Sequence, residues 1–143
     1  MNLELSSYGY YLAELVEKLT PEGQESRKVY DLLVSLLEEI SAIGHQDSSF
    51  HLLILAFEIQ LLDALGFWSL EEAQERFSPT QKDLERLKKL ELINFESAKK
   101  FRVDQRTLDR IRRITQGFLI WVLEQHLKSP DFIAQVKKLS SKV

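Results

Sequence analysis

Cysteine is absent from the 143-residue chain, which excludes disulfides, zinc–thiolate centres and thiol nucleophiles. Long apolar runs are absent too: residues 52–57, at six residues, fall far short of the ~20 a membrane-spanning helix needs, and no run is longer. The N-terminal MNLELSSYGYY carries no basic region followed by an apolar stretch, so no signal peptide is expected, and the cytoplasm is the expected compartment. There is no Gly-rich phosphate loop and no GxSxG elbow. The histidines His45, His51 and His126 are scattered, without the HExxH or HxH spacing a metal requires. Adjacent carboxylates at Glu38 and Glu39, or at Glu71 and Glu72, point about 100° apart on a helix and make poor acid–base pairs. No catalytic residue, metal, cofactor or small-molecule substrate is therefore expected, and the protein reads as a non-enzyme.

What is present is a chain of ordinary single-domain length, able to bury a core without staples. Its net charge of −3 conceals a polarity. Residues 1–78 hold 4 Lys and Arg against 14 Asp and Glu, a balance of −10, whereas residues 79–143 hold 15 against 8, a balance of +7. One end attracts polyanions and the other repels them; the two halves, or two copies, can also pair.

Helical periodicity runs through nearly the whole sequence. Tyr11, Leu12, Leu15, Val16 and Leu19 fall at one-three-four spacing until Thr20, Pro21 and Gly23 break the run, and Ser26 can cap a second helix over 27–43. That helix sets Val29, Leu32, Leu33, Leu36, Leu37 and Ile40 on one face and stops at Gly44. Ser48 or Ser49 can cap the next, 50–65, which is apolar nearly all round and so must be surrounded by other helices before Gly66 ends it. His51 and Glu58 lie two turns apart on one side of it, where a buried pair can form. The polar EEAQERF forms a short helix, and Ser78 with Pro79 starts another over 80–92, with Leu84, Leu87 and Leu90 inward. INFESAKKFR reads as irregular or weakly extended. Asp104 caps a long helix over 105–127, and Ser129 with Pro130 opens a last one through Leu139. No repeat, low-complexity segment or long linker divides the chain, so one all-α domain of five to six helices around 50–65 is expected.

Several segments carry a resemblance, in order and at matching spacing. YYLAELVEKLTPEGQESRKVY at 10–30 joins an aromatic, Leu-rich helix to an acidic TPEG turn. FEIQLLDALGF at 57–67 ends a central helix in Gly and an aromatic, and SPTQKDLERLKKL, VDQRTLDRIRRI and LEQHLKSPDF follow. Together they resemble the C-terminal helical domain of the recombination mediator and DNA repair protein family RecO. The resemblance implies an all-α fold, a part in DNA repair and recombination after DNA damage, and single-stranded DNA-binding protein and RecR as partners. Three differences stand out. Many members place a four-cysteine zinc finger after the Gly-aromatic end, where this chain has SLEEAQERF. Gln60 stands where members tend to carry Arg, removing a pair with Glu58. The OB-fold with which RecO proteins begin is not seen in these residues, so nucleic-acid contact falls to the helical surface.

The candidate binding region is the basic segment 99–113, with Lys99, Lys100, Arg102, Arg106, Arg110, Arg112 and Arg113 against Asp104 and Asp109. Helical projection sets Arg106, Arg110 and Arg113 within about 60° of one another, opposite Leu108, Ile111, Thr115, Phe118 and Val122. Guanidinium groups in such a row suit the phosphates of single-stranded DNA or the carboxylates of an acidic tail, positioning a strand without reading its sequence. With Phe101, Phe118 and Trp121 they supply the chemistry for an acidic, Phe-ended tail such as that of single-stranded DNA-binding protein. The same arginines also fit plain solvated surface, and the two aromatics of the long helix fit plain core. Two further readings stand beside this one: a protein–protein adaptor without DNA contact, and a helix-turn-helix or winged-helix duplex reader over 80–113, for which the 93–103 link is long and GFLIWVL looks buried.

Overall fold

The computed structural model describes residues 3–20, 26–43, 48–126 and 130–141. Within them the chain forms eight helices: α1 (Leu3–Leu19), α2 (Arg27–Ile43), α3 (Ser48–Ala64), α4 (Leu70–Phe77), α5 (Gln81–Leu92), α6 (Phe95–Ala98), α7 (Gln105–His126) and α8 (Pro130–Ser141). The count exceeds the expected five to six: the short α4 was read from EEAQERF, and α6 is a single-turn addition to the same all-α plan. The expected stops at Pro21, Gly23 and Gly44, and the residues Leu127 to Ser129 of the LKSPDF element, lie outside the described residues.

α3 is the hub. Every residue from 52 to 59 is buried, as are Leu61 and Leu62, because α2, α5, α6 and α7 pack around it. Gly66 ends it at φ 84°, a left-handed conformation that only glycine adopts without cost, letting the Phe67 and Trp68 amides fold back onto the Leu62 carbonyl. α1 reaches the hub through its aromatics: Tyr8 meets Phe50 edge-on, and Tyr11 stacks over Phe132 of α8.

Local signals set most boundaries. The Ser26 hydroxyl accepts from the Val29 amide at the start of α2, and Ser69 does the same for Glu72 at α4. Thr80 and Asp83 form a reciprocal capping box at α5. Asp104 opens α7, its carboxyl held below the ordinary range mainly by hydrogen bonds from the Thr107 side chain, with Lys82 nearby.

Other expectations change. Ser48 and Ser49 are not a cap but already helical, and the Ser49 hydroxyl donates to the Lys99 carbonyl at 2.7 Å. Leu37 faces outward, 42% exposed. The stretch read as irregular contains α6, a single turn capped by Asn94, whose side chain accepts from the Ser97 amide at 2.7 Å. Gln60 does not simply lack a partner: its amide donates to the Leu90 and Ile93 carbonyls at 3.0 and 2.6 Å, satisfying the C-terminal end of α5.

α4 fills the place where the resemblance expects zinc-bound cysteines, and Arg76 fastens it to the rest of the fold. Arg76 pairs with Glu72 at 2.7 Å and lies 3.8 Å above the Trp121 ring of α7, a cation–π contact that closes α4 onto the long helix.

Candidate polyanion-binding face

The segment that leaves α5 and enters α7 carries the exposed cations Lys100, Arg102, Arg106 and Arg113, and its shape is set by a buried carboxylate. Asp83 is 1% exposed, drawn inward by its capping role: it accepts from the Thr80 amide at 3.2 Å. From α7 the Arg110 guanidinium reaches the same carboxylate, its Nε lying 3.0 and 3.2 Å from the two oxygens, and braces against the Thr107 hydroxyl. Arg110 thus locks α5 to α7.

The candidate residues accordingly divide. Arg106 and Arg113 on α7, with Lys100 and Arg102 before it, are exposed. Arg110 is half-buried and engaged, so the row of three arginines reduces to Arg106 and Arg113 on the solvent side. Lys99 turns away to Glu39 of α2 at 2.7 Å, a bond that raises the lysine's pKa and joins the acidic half of the chain to the basic half. Asp109, the nearest acid on α7, accepts from Gln105 at 2.8 Å.

Phe101, Phe118 and Trp121 do not gather into one slot. Phe118 is fully buried, tilted against Trp68 at 4.8 Å and edge-on to Trp121 at 5.4 Å, with Arg76 covering Trp121. Phe101 belongs to another cluster: Arg86 and Lys89 of α5 both lie over its ring. These two cations, with Lys82 on the same α5 face, escaped the sequence reading. Their i, i+4, i+7 spacing was the available signal.

Arg112 points the other way, into a cleft that it lines with His51, Glu58, Gln116, Tyr8 and Tyr11. Glu58 is fully buried, and that burial pushes its carboxyl up to about 7, although hydrogen bonds from Tyr11 and Gln116 and the Arg112 charge pull it back. His51 is held below its ordinary value, by burial first and by Arg112 second. The expected proximity of His51 and Glu58 is therefore present, within a larger group that includes α1 and α7.

Comparison with known proteins supports the resemblance. Residues 2–68 match the family described as Recombination protein O C terminal, a segment that runs from α1 through Trp68 and ends before the basic face. The DNA repair protein RecO of Roseiflexus sp. (strain RS-1) is 34% identical over 89 residues, covering 54% of this chain and 30% of that protein. The DNA repair protein RecO of Pelotomaculum thermopropionicum (strain DSM 13744 / JCM 10971 / SI) is 28% identical over 164 residues, covering 92% of this chain and 61% of that protein. The chain thus spans less than two thirds of either relative. No solved structure matches. No helix among the described residues is long and apolar enough to cross a membrane. The match over residues 2–68 and the two relatives support a RecO C-terminal domain, in a form without cysteine.

Proposed function

We propose that this chain serves DNA repair and recombination by holding single-stranded DNA on its basic face, with single-stranded DNA-binding protein and RecR as the partners its family resemblance implies. The observation that carries the reading is the exposed set Lys100, Arg102, Arg106 and Arg113, which has no carboxylate within ion-pair distance among the described residues. Contacts of this kind go to phosphates and position a strand without sequence discrimination. The names of the two relatives support the repair context.

The engagement of Lys99 with Glu39 and of Arg110 with Asp83 favours a second reading for part of the segment, as scaffold for an adaptor that meets only proteins. Fluorescence anisotropy separates the two. Labelled single-stranded DNA, duplex DNA and an acidic Phe-ended peptide are titrated into the wild type and into Arg106→Ala/Arg113→Ala, which spares the structural Arg110. Single-stranded DNA binding that weakens in the variant and falls steeply with salt is expected. Peptide binding without DNA binding establishes the adaptor instead, and duplex preference with sequence discrimination establishes a winged-helix reader.

A further inference from the structure

The exposed cations assigned to DNA above come from residues 100–113, but the structure sets a second row beside them. Lys82, Arg86 and Lys89 share one face of α5, and three contacts fasten that face to the segment entering α7. Lys82 Nζ is 3.8 Å from Asp104 Oδ1, the Arg86 guanidinium carbon is 5.7 Å from the centre of the Phe101 ring, and Lys89 Nζ is 4.7 Å from the same centre. Phe101 lies between the exposed Lys100 and Arg102. Two like charges are therefore gathered over one aromatic ring, whose face attracts cations but supplies no counter-charge.

The neighbouring acids are mostly occupied. Asp83 is held by Arg110, Asp104 by Thr107 and Lys82, and Asp109 by Gln105. Glu85 remains exposed beside Arg86 in sequence, about 100° away around α5. Among the described residues neither Arg86 nor Lys89 has a carboxylate within ion-pair distance, and Arg86 Nε is buried with no hydrogen-bond partner. The Arg86 and Lys89 charges are thus left without a neutralising acid among the described residues, and an arriving phosphate supplies the counter-charge.

We propose that Arg86 and Lys89, held over Phe101, form a phosphate subsite, and that the α5 row is a second wall of the basic face, running beside Lys100 and Arg102. Its occupant is the backbone of single-stranded DNA; the inference rests on the DNA-binding reading above and names a part of that site which lies outside 99–113. The cations follow a strip, which fits successive phosphates. An acidic tail ending in Phe needs an apolar slot, and here the one aromatic ring is only 9% exposed beneath the two cations.

The test is the salt dependence of single-stranded DNA binding, measured by anisotropy for the wild type, Arg86→Gln/Lys89→Gln and Arg106→Gln/Arg113→Gln. Each lost phosphate contact lowers the log–log salt slope by about 1, so the α5 pair is expected to lose between one and two units, with weaker binding to every DNA sequence. The charge-conserving Arg86→Lys/Lys89→Arg retains most of the slope, which separates charge from folding, and Lys89→Gln alone loses a single contact. If the wild type binds and the α7 pair weakens it while the α5 pair leaves the slope unchanged, this inference is overturned and the DNA-binding reading stands. If no DNA binds at low salt, both fall. Loss of acidic-peptide binding without loss of DNA binding in the α5 pair also overturns the inference, since the occupant is then a protein.

Discussion

The Tyr11 hydroxyl donates to Glu58 Oε2 at 2.5 Å across 47 residues of sequence, in the interior of the molecule. Gln116 of α7 completes the arrangement, its Nε2 lying 3.0 and 3.3 Å from the two carboxylate oxygens. One polar centre therefore joins α1, α3 and α7. Burial and the adjacent Glu58 raise the pKa of Tyr11 well above its ordinary value, so the phenol stays a donor. Tyr11→Phe keeps the ring against Phe132 and removes only the hydroxyl. A buried carboxylate losing one donor costs about 1–3 kcal/mol. The loss in urea unfolding is expected to be larger at pH 8, where Glu58 is ionised, than at pH 5. An equal loss at both pH values would mean that the hydroxyl matters only for packing.

Glu58 also predicts an uncommon pH dependence. Its folded pKa is raised from 4.5 to about 7, chiefly by burial, so the folded state holds a proton that the unfolded state releases. The stability this contributes is complete below about pH 4.5 and is lost as the pH rises to about 7, the reverse of an ordinary paired carboxylate. His51, whose pKa is lowered, acts oppositely: its neutral form is favoured by folding, and stability is lost as the pH falls through its unfolded value of 6.5. Arg112 and Tyr8 face the same cleft. Gln116 Oε1, buried without a partner, offers an acceptor for the protonated carboxyl if the amide turns over. Subtracting Glu58→Gln isolates the glutamate. Relative to wild type this variant should gain stability between pH 5 and pH 8, by on the order of 3 kcal/mol at most. A difference that is flat with pH would show that Glu58 titrates as an exposed residue does.

Asp83 and Arg110 bear on how binding experiments are read. Removing Arg110 strands a carboxylate that is 1% exposed, whereas removing Asp83 also deletes the α5 cap. Each alanine variant is expected to cost about 3 kcal/mol, and the double variant much less than the sum, with a coupling of about 1–3 kcal/mol. Asp83→Asn keeps the cap acceptor and should be milder than Asp83→Ala. Strict additivity in denaturant unfolding would refute the pairing. Any DNA-binding loss in an Arg110 variant therefore has to be compared with its loss of fold.

Most helices were legible because their apolar residues repeat every three to four positions and their caps are explicit, as at Ser26 and Asp104; for α5 the start was read at Ser78 and Pro79, whereas Ser78 closes α4 and the cap is Thr80. α6 was not, since Phe95–Ala98 is a single turn and carries no measurable period; Asn94 was its one sign. The basic run 99–113 was visible as a run, but its division was not: Asp83 lies 27 residues from Arg110, and no local rule brings them together. Arg86 and Lys89 were hidden for a different reason. Asp83, Glu85 and Glu91 lie among and beside them, so the segment looks near neutral in composition while Lys82, Arg86 and Lys89 share one face. His51 and Glu58 share a helix and could be paired by spacing, whereas Tyr11 and Gln116 reach Glu58 only through tertiary packing.

Gly117 gives a prediction whose sign depends on a neighbour. It sits inside α7, where glycine costs about 1 kcal/mol relative to alanine. A Cβ there would lie 2.6 Å from Phe77 Cε1 and 3.0 Å from Cζ, so α4 approaches α7 through this missing side chain. In the wild type Gly117→Ala should destabilise by about 1–2 kcal/mol, the clash outweighing the gain in helix propensity. With Phe77→Leu the ring edge is gone, and the same substitution should then stabilise by about 0.5–1 kcal/mol. Urea unfolding of the four proteins in this cycle reads the sign directly. Destabilisation in both backgrounds would mean that Gly117 is needed for something other than room for Phe77.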